Sequence, residues 1–85
     1  MEITSIERYT IEKVKEKRIA AGLSPRELSL LLGLDASYIA HAENPKYKYK
    51  YNLNHLNAFA VIFQCPVKDF IPRLPIPEET KYTLK

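Results

Sequence analysis

Apolar residues recur at helical spacing in three stretches of the chain: Ile11, Val14 and Ile19; Leu28, Leu31 and Leu32; then Leu53, Leu56, Phe59, Ala60 and Phe63. Steps of three or four residues return to one face of an α-helix, so each stretch predicts an amphipathic helix with those residues turned inward. The first is expected over about Thr10–Ala21, with Lys13, Glu16 and Lys17 outward. Its start is open, because Ser5-Ile6-Glu7-Arg8 can begin the helix a turn or more earlier or form an arm packed by Ile6 and Tyr9. Pro66 ends the last stretch, and Val67–Phe70 fits a short further helix before Pro72.

Capping residues punctuate the middle of the chain. Ser24 suits an N-cap, Pro25 the first helical position, and Glu27 closes a capping box, with Leu23 and Leu28 as the flanking hydrophobic staple. Gly33 suits the left-handed position after a helix end, so this helix should stop near Leu32. Asp35 can then cap the next helix at once, with Leu34 and Ile39 as a second staple. A linker that short predicts two helices crossing steeply, as in a helix-turn-helix. On the second helix Ile39 faces the core, and steps of about 100° put Ser37, Ala40, His41 and Asn44 on or near the outer face, with Ala36 and Tyr38 at its flanks.

Between the third and fourth predicted helices the chain reads Asn44-Pro45-Lys46-Tyr47-Lys48-Tyr49-Lys50-Tyr51-Asn52. Strict alternation is foreign to helix periodicity; extended, it separates three lysines from three tyrosines on opposite sides. Lysine ammonium groups, tyrosine hydroxyls and backbone amides all suit phosphate. The alternative is a solvated loop whose tyrosines cover the edge of the core.

The segment from Val14 to Pro72 resembles the lambda-repressor-like helix-turn-helix domains, the group of the phage 434 repressor and Cro proteins and the Xre-type regulators. The matching residues are Val14-Lys15-Glu16-Lys17-Arg18-Ile19, Gly22-Leu23-Ser24, Glu27-Leu28, Gly33-Leu34, Ile39 and Glu43-Asn44, then Leu56, Ala60 and Val67. The resemblance implies an all-α, compact five-helix domain whose second and third helices form the helix-turn-helix. It implies an ion pair between Arg18 and Glu43, and double-stranded DNA as the partner of a homodimer. Base-edge contacts would fall to Ala36, Ser37, Ala40 and His41. Phosphate contacts would fall to Arg18, Pro25 and Arg26 around the start of helix 2, and to Tyr38, Asn44, Lys46, Lys48, Tyr49, Lys50 and Tyr51. Two departures weaken direct readout: Ala36–His41 holds no arginine, glutamine or asparagine, the strongest bidentate readers, and Pro25 replaces a common glutamine. Ala36 and Ala40 can still meet thymine methyl groups, Ser37 and His41 can hydrogen-bond, and DNA shape can add preference.

Composition and charge agree with a small binding domain. A chain of 85 residues buries only about 60–65% of its unfolded surface, enough for one core. At 46% hydrophobic and 27% charged residues it is globular rather than disordered. The net charge is only +3, yet Lys13, Lys15, Lys17, Arg18, Arg26, Lys46, Lys48 and Lys50 face just Glu16, Glu27, Asp35 and Glu43 in the same span. That excess is the footprint expected of a phosphate binder. With no basic, apolar leader at the N-terminus and no membrane-length apolar run, a cytoplasmic location and no membrane partner are expected.

Catalytic and metal chemistry find little material. Ser24, Ser29 and Ser37 read as cap or surface residues, and no nucleophile–base–orienter set suggests itself. His41 and His55 are the only histidines, and no cysteine–histidine spacing supports a metal, so neither a metal nor another cofactor is expected. His55 is expected as an exposed helix residue and Cys65 as a small core residue. The resulting division is an arm or helix extension over 1–9, the helical domain over 10–72, and a proline-containing tail over 73–85. That tail is expected to lie over its own domain or support a dimer, and Lys81-Tyr82-Thr83-Leu84 could pair as a strand with Ile3-Thr4-Ser5-Ile6. The function expected is a sequence-specific, repressor-type transcriptional regulator. The alternative is a protein-interaction module, an antitoxin or adaptor, for which Tyr38 exposed beside alanines would be the main support.

Overall fold

Thr4 sets the start of the first helix. Its hydroxyl accepts the Glu7 N–H while the Glu7 carboxylate accepts the Thr4 N–H at 3.0 Å, a complete capping box that opens α1 at Ser5. The computed structural model describes residues 3–77, and α1 runs Ser5–Ala20. The helix thus takes the longer of its two possible forms, and Ser5 and Ile6 are helical rather than half of a strand pair; Lys81–Leu84 lie outside the described residues.

Three more α-helices follow: α2 over Pro25–Leu31, α3 over Tyr38–Glu43 and α4 over Leu53–Phe63. Val67–Phe70 forms a 3-10 turn rather than a fifth α-helix. No strand occurs among the described residues, so the described fold is all-α. In the packing, α2 lies on α3, α1 touches α3, and the 3-10 turn joins α1 to α4. Ile11, Val14, Leu28, Ile39, Phe59 and Phe70 are fully buried at the centre. Burying side chains of this size contributes on the order of 1.5–3 kcal/mol each.

Three leucine and isoleucine positions depart from the periodicity reading. Ile19 is 59% exposed and Leu31 58% exposed, because the inward stripes are Ile11–Val14–Arg18 on α1 and Leu28–Ser29 on α2, continued by the half-buried Leu32 at its C-cap. Each displaced residue lies roughly 100° around its helix from the centre of the true stripe. Leu53 is 75% exposed at the first position of α4, and Tyr51 just before it fills the core instead, its ring 4.8 Å from that of Phe59. Gly33 follows α2 with φ +72, and the Leu34 N–H donates to the Ser29 carbonyl across that turn. Only a residue without a Cβ adopts this geometry cheaply.

Candidate nucleic-acid interface

The α2–α3 pair is locked by two buried polar residues. Ser29 has no exposed surface; its hydroxyl donates to the Pro25 carbonyl at 2.9 Å and accepts the Ile39 N–H at 3.0 Å. Ser37, the residue before α3, makes no side-chain cap bond, so Ser29 satisfies from another helix a donor that α3 cannot satisfy itself. The polar character of Ser29 predicts a surface place. What overrides it is its position on the Leu28–Leu32 stripe, the sequence signal that marks it as buried.

Arg18 is the second lock. Its Nε and Nη2 donate to the two carboxylate oxygens of Glu43, both at 2.8 Å, and Nη1 donates to the Leu23 carbonyl at 2.8 Å. Both charged side chains are nearly buried. One fork therefore ties together α1, the turn before α2 and the end of α3. With its donors so engaged, Arg18 is not a free phosphate ligand, a correction to the role the family resemblance implies.

Asp35 acts one turn before α3. Its carboxylate accepts both the Ser37 N–H and the Ser37 hydroxyl, which hold it below the ordinary carboxylate range, and α3 proper begins only at Tyr38. At α2 the expected capping box is present: the Glu27 carboxylate accepts the Ser24 N–H at 2.8 Å and is likewise held low. That box engages the Ser24 and Glu27 amides and puts a negative charge at the helix start. Pro25 has no amide, so its environment offers little to a phosphate, and Arg26, exposed, is the cation there.

After α3 the chain makes a tight turn. Asn44 accepts the Tyr47 N–H through its carbonyl and the Lys46 N–H through its side chain, with Pro45 at the second position. Proline preset to the turn and an Asx side chain closing it are the expected chemistry. Beyond Tyr47 the segment has no regular structure, and its alternation is only partly two-sided. Tyr47 and Tyr49 remain 43% and 38% exposed, while Tyr51 is buried. The Tyr51 hydroxyl makes no hydrogen bond to a described residue, and burial raises its pKa strongly.

Aromatic rings link the turn to the core. His41 packs on Tyr47 with centroids 4.2 Å apart and meets Tyr49 at 5.0 Å; Tyr38 contacts Tyr49 and His55; Tyr51 carries the contacts to Phe59. Tyr38 is half-buried and its hydroxyl donates to the Lys50 carbonyl at 2.8 Å. Exposure of Tyr38 is thus corrected: it clamps the segment to α3. The Tyr38 hydroxyl is spent on the Lys50 carbonyl and the Tyr51 hydroxyl is buried, so neither is offered outward, and His41 is half-buried beneath the turn instead of standing free on the outer face. His55 is likewise half-buried, with Nδ1 accepting the Asn52 N–H at 3.1 Å at the start of α4, and burial lowers its pKa.

The cations divide into two groups. Lys13 pairs with Glu16, Lys17 with Asp69, Arg18 with Glu43, and Lys50 with Glu7 at 3.1 Å. Among the described residues Arg8, Lys15, Arg26, Lys46, Lys48, Lys68 and Arg73 have no ion-pair partner; of these, Arg26 lies on α2 and Lys46 and Lys48 follow α3 in the chain. Ser37 and Ala40 are exposed and Ala36 half-exposed, and Asn44 uses its side-chain oxygen within the turn. The outward surface that remains is therefore Arg26, Ser37, Ala40, Lys46, Lys48 and the outer parts of Tyr47 and Tyr49. No family model matches this chain, and no curated protein does.

Proposed function

We propose that this protein is a DNA-binding transcriptional regulator with a five-element, lambda-repressor-like helix-turn-helix domain, α2 and α3 forming the motif and the 3-10 turn the fifth element. It binds duplex DNA as a homodimer, with α3 in the major groove and repression as its mode of action. The observation that carries this reading is the placement of free charge. Arg26 on α2 and Lys46 and Lys48 after α3 are exposed and have no ion-pair partner among the described residues, so free positive charge stands on both sides of α3 in the chain. Small residues, Ser37 and Ala40, occupy the face between, which permits close approach to base edges and thymine methyl groups.

A second reading, a protein-interaction module, rests on a different surface. Leu30 and Leu31 are more than half exposed and share a shallow groove with Leu23 and Glu27.

Selection from random duplex DNA at physiological salt, with a sizing measurement on the same sample, tests the proposal. Enrichment of a palindrome with half-sites roughly 34 Å apart is expected. Changing Lys46 and Lys48 to Gln should then flatten the dependence of log K on log salt by about 0.9 for each phosphate no longer neutralised. No binding to any duplex would reject the DNA reading and leave the Leu30–Leu31 surface.

A further inference from the structure

In the duplex binding proposed above the Tyr47 ring has no role of its own. His41 lies against that ring at a centroid distance of 4.2 Å and an interplanar angle of 33°, and Tyr49 meets His41 edge-on at 5.0 Å. The turn closed by Asn44 holds Tyr47 in this position. The tyrosine is thus a braced plate with 43% of its surface open, and its two chain neighbours, Lys46 and Lys48, are exposed cations with no ion-pair partner among the described residues. A braced ring with an unpaired lysine before and after it in the chain suits a base and its two flanking phosphates. Duplex bases are stacked on each other and cannot offer a face to such a plate; unpaired bases can.

We propose that the Lys46–Tyr49 turn is a binding site for single-stranded nucleic acid, with an unpaired base stacked on Tyr47 and the adjoining phosphates held by Lys46 and Lys48. The site does not depend on duplex binding by α3. The charge complements a polyanion, and the bracing by His41 means that little ordering of the ring is left for binding to impose.

The test uses the whole chain, a labelled oligothymidylate of about 12 nucleotides, and a strand of the same length in which the bases are removed but the phosphates kept. The chain has six tyrosines and no tryptophan, so tyrosine emission reports stacking directly. The oligothymidylate should bind about tenfold or more tightly than the abasic strand and quench tyrosine emission. Tyr47→Leu should remove both the preference and the quenching, and Tyr47→Phe should keep the preference, because stacking needs the ring and not the hydroxyl. Equal affinity for the two strands, no binding of either, or undiminished binding by a folded Tyr47→Leu would overturn the proposal. If Tyr47→Leu fails to fold, the comparison of the two strands on the unaltered protein decides. Affinity for a duplex is measured separately, and its absence leaves the single-strand result standing.

Discussion

Arg18 and Glu43 carry opposite charges into a region where little water reaches either. A buried pair of this kind adds little against a hydrophobic replacement, but stripping away one partner leaves the other charge unanswered. Glu43→Ala should therefore lower unfolding stability by about 3–5 kcal/mol, measured by urea denaturation, and an unchanged midpoint would show that the fork holds nothing together. The pairing of Arg18 with Glu43 was accessible through the family resemblance, since neither residue stands out by composition. Ser29 was not read from its type, because a serine on an apolar stripe looks like a flaw until the unsatisfied amide of Ile39 is placed beside it. Tyr38 and Tyr51 illustrate the same limit: alternation says which residues can share a side, not which ring the core will accept.

At the scale of elements, the helices are held at their starts by groups that titrate. The carboxylates of Glu7, Glu27 and Asp35 accept backbone or hydroxyl hydrogen bonds, led by the Thr4 amide for Glu7, the Ser24 amide for Glu27 and the Ser37 hydroxyl for Asp35, and all three are held low. Groups with folded pKa values below their unfolded ones support the fold above the unfolded value and lose that support as pH falls. His55 behaves in the same direction. Burial favours its neutral form, whose Nδ1 accepts the Asn52 N–H, so protonation opposes the α4 cap. The urea midpoint should thus decline as pH drops below the ordinary histidine value of 6.5, and decline further through the ordinary glutamate value of 4.5. His55→Gln keeps an acceptor at the third helical position and should remove the upper phase. A midpoint constant from pH 7 to pH 5 in the unaltered protein would contradict the role given to His55. The caps at Ser24–Glu27 and the turn at Gly33 were legible from residue type and spacing alone; the Thr4–Glu7 box was present in the sequence too, but an apolar pattern too sparse before Ile11 left the helix start open.

For the whole molecule, the central claim is that the surface around α3 meets duplex DNA. Its support is the charge flanking α3 in the chain: Arg26, Lys46 and Lys48 are exposed without an ion-pair partner among the described residues, and Ser37 and Ala40 on the intervening segment are exposed too. The excess of basic residues was visible in the sequence; which of them stay free was not, because Glu7 and Asp69 are distant in sequence from Lys50 and Lys17, which they neutralise. The most direct measurement is a titration of isotope-labelled protein with duplex DNA, followed through backbone amide shifts. The largest changes should fall at Arg26, across Ser37–His41 and at Lys46–Tyr49, with the outer face of α4 at Asn57 and Val61 unmoved. Changes confined to Leu30 and Leu31 or to α4, or none at saturating duplex, would contradict it.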